Sequence, residues 1–113
     1  MFATKEAVIA REHASDIEPT IFYIDIRAYG KDFDRYIERA QREQGVRYVR
    51  SMISMVKEAP GTRNLSLRYV DNGQVREEEF DLVVLSLGLK TPPEARSVAQ
   101  RLNVELDHYG FCR

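Results

Sequence analysis

Residues 20–50 read TIFYIDIRAYGKDFDRYIERAQREQGVRYVR, and the fold class turns on them. Successive side chains of a strand point to opposite faces. Ile21 to Ala28 therefore sets Ile21, Tyr23, Asp25 and Arg27 against Phe22, Ile24 and Ile26. One face is apolar throughout, and the other turns charged at its carboxyl end, as in a buried strand that opens onto a site or solvent. Gly30 breaks this strand. A helix over Asp32 to Gln44 then stacks Phe33, Tyr36, Ile37 and Ala40 on one stripe. Asp32 and Asp34 at its start and Arg39 and Arg42 towards its end suit the helix dipole. Gly45 supplies a left-handed stop. A second strand begins at Val46, so the stretch predicts strand, turn, helix, strand.

Working outward, MFATKEAVIARE at the start reads as a helix, with Thr4 as the cap of a segment running to His13. The loop Ala14 to Pro19 ends it. Val46 to Val56 predicts one long strand or two joined by a bend. Pro60-Gly61 turns the chain. Asn72-Gly73 is a strong two-residue hairpin signal, and a type I′ turn there sets Val70 opposite Val75, Arg68 opposite Glu77 and Phe80 opposite Leu65. Glu77-Glu78-Glu79 is better read as a guarded strand edge than as a cation site, because neighbouring carboxylates on a strand point apart. Leu82 to Leu87, within FDLVVLSLG (80–88), is almost wholly apolar and predicts a central parallel strand. Thr91-Pro92-Pro93-Glu94 predicts a capped helix start, with Ala95, Val98, Ala99 and Leu102 as its buried stripe. Val104 to Phe111 is expected to add a short strand.

The 113 residues suffice for one domain, and 43% hydrophobic with 31% charged residues describes a globular chain. A net charge of -1 excludes a generic basic footprint, so no nucleic-acid partner is expected. No apolar run approaches the roughly 20 residues that span a bilayer, and no signal-peptide core is present. The expectation is a cytoplasmic protein without a membrane span. Cys112 is the single cysteine. One thiol makes no internal disulfide, and iron–sulfur clusters usually take four thiolates.

His13 and His108 belong to no catalytic motif, and no metal-ligand spacing or nucleophile elbow occurs. No catalytic residue and no metal ligand is therefore named. The candidate binding segment is Asp25 to Lys31, at the carboxyl end of a strand and just before a helix, where dinucleotide sites form. Asp25 suits a ribose, and Arg27 and Lys31 suit phosphate. Gly30 and Gly88 allow close backbone approach. Without a GxGxxG loop the same residues also read as an ordinary charged strand end, and Gly88 also reads as a turn glycine.

DIEPTIFYIDIRAYGKDFDRYIERAQREQGVRYVRSMISMV, FDLVVLSLGL and PPEARSVAQRLNVELDHYGF together resemble the A subunits of the heterodisulfide reductases and their relatives. The resemblance covers nearly the whole chain, and FYIDIRAYGK and VVLSLGL are its most specific parts. It implies an oxidoreductase of the pyridine nucleotide-disulfide oxidoreductase type, a flavoprotein that transfers electrons through FAD and iron–sulfur clusters to other redox subunits of its complex. The family's flavin glycine motif, its cysteine-rich segment and its second flavin contact have no counterpart in these residues. Only Asp25, Arg27, Gly30, Lys31 and Gly88 match positions where the wider superfamily approaches a dinucleotide.

The resulting expectation is an α/β domain over residues 1–113. It has a small central sheet, flanking helices and a β-hairpin extension, and corresponds to the Rossmann-like nucleotide-binding insert of a larger flavoprotein. The fragment itself is expected to be inactive, to hold none of the parent's cofactors and to self-associate through its uncovered strand edges. The rival readings are a non-catalytic docking domain for partner redox subunits, with no nucleotide bound, and a stand-alone ligand-binding regulator.

Overall fold

A computed structural model describes residues 2–113. Its elements run α1 (Phe2–His13), β1 (Thr20–Tyr23), α2 (Phe33–Arg42), β2 (Arg47–Arg50), β3 (Met55–Glu58), β4 (Leu65–Asp71), β5 (Gln74–Phe80) and α3 (Ala95–Leu102). The mixed α/β class is thus as expected. The strands form two sheets, a parallel pair β1-β2 and an antiparallel sheet in the order β3-β4-β5.

β1, α2 and β2 make the strand–helix–strand unit read from the sequence. Thr20 pairs with Arg47 and Tyr23 with Arg50 in parallel register. The helix closes where Glu43 and Gln44 donate to the Arg39 carbonyl, and Gly45 at φ +65° lets Val46 donate back to Ala40. Val46 and Ala40, each 1% exposed, then form a core with Val8 of α1. Ala7, Ile21, Tyr36 and Tyr48 pack around it. Ile21 thereby covers one face of β1. From the other face Phe22 meets Tyr69 edge-on at 4.8 Å and Phe80 at 5.8 Å. The small parallel sheet therefore has packing on both sides.

Val46 to Val56 resolves into two strands of different sheets, the bend lying over residues 51–54. The hairpin takes the expected register, with Val70 opposite Val75, Arg68 opposite Glu77 and Leu65 opposite Phe80. Asn72 and Gly73 both have positive φ, as a type I′ turn requires.

Several expectations are corrected. α1 already includes Phe2, and the Met1 end of the expected helix lies outside the described residues. Thr4 is no cap; it is buried inside α1, where its hydroxyl accepts from Tyr48. β1 ends at Tyr23 rather than Ala28, because the charged half of that segment finds no partner strand. Leu82 to Leu87 is no central strand. Residues 81–94 form neither helix nor strand, and Leu82, Val84, Leu85 and Leu87 are exposed. An apolar run becomes a parallel strand only where a free edge and cover on both faces meet it, and within this chain they do not. α3 starts at Ala95 with no side-chain cap, since the Thr91 hydroxyl donates to the Tyr109 carbonyl instead. Of its expected stripe only Ala99 is buried. The tail contributes a single antiparallel bridge, Leu106 to Cys112.

The core predicts its own sensitivity. Val46→Ala removes packing from a filled site and lowers unfolding free energy by about 1.5–3 kcal/mol. Val75→Ala, on the exposed side of β5, stays within about 0.5 kcal/mol. Urea unfolding of the two variants checks the contrast.

Candidate functional site

The connection from β1 to α2 carries four of the candidate residues. Past Tyr23 the chain bends at Ile24 and leaves the sheet. Asp25 and Arg27 are brought together, with Nε 3.8 Å from Oδ2, but both side chains are mostly exposed. In exposed surroundings such a pair stabilises by about 1 kcal/mol or less. Gly30 has φ +126°, and a Cβ there would lie 2.7 Å from the Phe33 ring. The glycine is thus required by its own helix as well as by the turn. Lys31 follows, exposed, and Asp32 enters the helix in the left-handed region without a capping bond. Gly88 stands apart on the irregular segment, where a Cβ would meet nothing within 4 Å, the other four candidates included.

Electrostatics at this connection are mixed. Two cations, Arg27 and Lys31, face solvent, yet Asp32 and Asp34 stand at the first turn of α2 and oppose an anion there. The arrangement is an exposed strand end of mixed charge. It does not fit a full phosphate cradle, which needs successive free backbone donors in a glycine loop. The single thiol, Cys112, is exposed, and among the described residues no cluster of three or more His, Cys, Asp or Glu could hold a metal ion. These residues do not fit an iron–sulfur cluster by themselves.

The best-organised polar group lies elsewhere, between the two sheets. Arg47 Nη2 donates to Glu78 Oε1 at 2.6 Å, and its Nε donates to Thr20 Oγ1 at 3.0 Å. The Tyr69 hydroxyl donates to Glu78 Oε2 at 2.7 Å. Tyr69 is 3% exposed, and its ring is the one that Phe22 abuts. Burial pushes the Glu78 carboxyl up, but the hydrogen bonds from Arg47 and Tyr69 outweigh it and hold the group below its ordinary value. The Glu78 bond raises the Arg47 guanidinium further against burial. Burial, then the Glu78 contact, raises the Tyr69 phenol. Tyr69 is therefore a neutral donor at physiological pH, and every member of the group already has its partner. The arrangement is a clamp and not an acid–base pair.

Read from the sequence, the glutamate run is an edge, and that reading passes over this clamp. Strand alternation is the available signal, since Glu78 must face opposite to Glu77 and Glu79. The hairpin register sets Glu78 opposite Leu67, two positions from Tyr69 along β4. Glu77 points the other way, held below its usual range first by Arg68 and then by Ser66. His13 and His108 are exposed and join no such group.

No protein-family model matches the chain. Among curated proteins it is 41% identical over its full length to the iron-sulfur A subunit of the CoB–CoM heterodisulfide reductase of Methanocaldococcus jannaschii, covering 18% of that protein. It is 39% identical, again over all of its length and 18% of the relative, to the A subunit of the H(2)/formate:CoB-CoM heterodisulfide,ferredoxin reductase of Methanococcus maripaludis. The A subunit of the ferredoxin:CoB-CoM heterodisulfide reductase of Methanosarcina acetivorans is 37% identical, with 14% of its length covered. The chain thus spans under one fifth of the curated relatives it matches.

The clamp predicts an acid limb in stability. The folded carboxyl of Glu78 lies below its ordinary value of 4.5. Its contribution is complete above that value and is lost as the pH falls through the lower folded one. Glu78→Gln is expected to cost about 1 kcal/mol at pH 7, discounted for the half-exposed Arg47. It should also shrink the fall in stability as the pH drops below 4.5. Thermal melts of both proteins across that range measure it.

Proposed function

Since this chain belongs to the family of heterodisulfide reductase A subunits, as the counterpart of one segment of those longer proteins, we propose that it is a structural segment of an oxidoreductase of that kind. The full-length similarity to relatives bearing that name carries the reading. In the longer protein, electrons pass through FAD and iron–sulfur clusters held by residues outside this segment, towards the heterodisulfide of coenzymes B and M or a related acceptor. Other redox subunits of the complex are its partners. Residues 1–113 serve there as one Rossmann-like α/β domain of a cytoplasmic flavoprotein. Among the described residues no helix is long and apolar enough to cross a membrane.

Within this reading the segment's own residues orient and do not react. Asp25, Arg27, Gly30 and Lys31 offer a nucleotide one edge, with a carboxylate for ribose hydroxyls and two cations for phosphate. Gly88 leaves an open backbone position on the irregular segment. FAD, when bound in the longer protein, supplies the two-electron to one-electron exchange that its clusters relay.

A second reading, a docking domain for partner redox subunits, draws on α3. Val98 is 49% and Leu102 69% exposed on the stripe that the sequence marks as buried. Such a face is suited to cover by a neighbouring protein of the complex.

Amide chemical shifts separate the two. Titrating the chain with NADH and NADPH is expected to move amides between Asp25 and Lys31, and the double variant Arg27→Ala, Lys31→Ala should abolish the movement. Silence at these positions favours docking. Flavin bound stoichiometrically by the purified chain, visible in its absorption spectrum, would overturn the placement of FAD outside this segment.

A further inference from the structure

Arg50 is the last residue of β2, and its partner in the parallel register is Tyr23, the last residue of β1. The two strands therefore end side by side, and β1 runs on from there into the Asp25–Lys31 connection. In parallel α/β units a ligand lies outside the carboxyl ends of the strands. Read from the sequence, only the first of these two ends supplies candidates. The structure sets a second beside it, and that end carries an arginine.

The Arg50 side chain is tied to the neighbouring strand. Its Nε donates to the Ile24 carbonyl at 3.1 Å. Ile24 is where the chain bends out of the sheet, and Asp25 is the next residue. The guanidinium is thus held one peptide unit from the candidate ribose carboxylate. The strand end beneath it is anchored too: the Ser51 amide donates to the Val49 carbonyl, and the Ser51 hydroxyl accepts from the Val70 amide of β4. Arg47, at the other end of β2, is taken up by Glu78. Arg50 is exposed and forms no ion pair among the described residues. Its two Nη nitrogens remain donors for an anion from solvent.

The neighbouring carboxylate narrows the choice of anion. Asp25 accepts from sugar hydroxyls, so the matching anion is one carried on a sugar. A ribose with a 2′-phosphate and a free 3′-hydroxyl presents both groups on one ring. In dinucleotide units the residue that meets the ribose 2′ position stands about 20 residues beyond the glycine turn, and an arginine in that neighbourhood accommodates a 2′-phosphate. Arg50 stands at that spacing from Gly30. Asp25 alone would repel the phosphate, but Arg27 Nε, 3.8 Å from its Oδ2, offsets the charge.

We propose that Arg50 binds the 2′-phosphate of an adenine dinucleotide at this paired strand end and makes the site select NADPH over NADH. The inference rests on the nucleotide-edge reading of Asp25 to Lys31 and adds to it the class of nucleotide.

Titrations of the chain with NADPH, NADH and inorganic phosphate test it, at low ionic strength and followed by the amide shifts of Asp25 to Lys31 and of Arg50. The dissociation constant for NADPH is expected about tenfold below that for NADH, the worth of one charge-assisted contact. Arg50→Gln should bring the two constants together by weakening NADPH alone, and Arg50→Lys should keep part of the preference. A merely structural loss of the Ile24 bond would weaken both nucleotides alike, and circular dichroism checks that the variants are folded. Three results would overturn the proposal: equal affinities in the unaltered chain, a preference that survives Arg50→Gln, or inorganic phosphate moving the same amides as strongly as NADPH. In the first two the nucleotide edge stands and the role of Arg50 falls. No movement with either nucleotide removes the edge, and this assignment with it.

Discussion

The fold depends on the contact between its two sheets, where Arg47, Glu78 and Tyr69 bond to one another beside the Phe22 ring. A two-stranded sheet is marginal alone in water. Neither continues the other's hydrogen-bond ladder. Side-chain contacts between them and the 51–54 connection, bonded to Arg68 and Val70 of β4, join them; the aromatic edge contacts supply the apolar part, worth about 0.5–1.5 kcal/mol each beyond area. The clamp adds direction. An arginine on β2 reaching a glutamate on β5, whose other oxygen takes the Tyr69 hydroxyl, fixes how β1-β2 sits on the hairpin in a way that oily contact alone does not. It also explains why a phenol can be buried there: the buried donor has a charged acceptor.

Around that contact the chain is loosely gathered. Its radius of gyration is 18.4 Å, against about 13 Å for a compact domain of this length. The buried hydrophobic residues fall into separate places, Val8, Ala40 and Val46 under the helices, Ala59 just past β3, Leu67 and Tyr69 on β4, and Ala99 on α3. Small cores of this kind leave much apolar surface outside. The distribution of that surface is uneven in an informative way. Edges β2, β3 and β5 are charged, while the 82–89 run and the α3 stripe are not. Random exposure would scatter leucines; here they are concentrated on two segments that follow the hairpin.

The sequence is most legible where local chemistry decides the backbone. Asn72-Gly73 needs positive φ twice, and that fixes every pair of the hairpin down to Phe80. The α2 stripe and Gly45 set the helix and its stop for the same reason. Legibility fails where an outcome depends on a distant partner. Thr91 satisfies the rules for a cap, yet the Tyr109 carbonyl takes its hydroxyl. Thr4 satisfies them too, yet Tyr48 draws it into the core. Leu82 to Leu87 has the composition of a central strand, but composition states a demand for neighbours and does not provide them. The clamp escapes sequence reasoning for a related cause: Arg47 and Glu78 are 31 positions apart and lie on strands of different sheets.

The candidate nucleotide edge and the clamp illustrate two uses of charge. At the edge, Asp25, Arg27 and Lys31 are exposed, unhindered and weakly paired. Groups in that state keep their full hydration and can exchange it for a ligand at little cost. In the clamp, three groups have already exchanged hydration for one another, and their titration is displaced accordingly. A segment built this way has its charges paired where its sheets meet and exposed where its first strand ends. The charged groups that hold this fold are therefore not the ones with which it would meet a nucleotide.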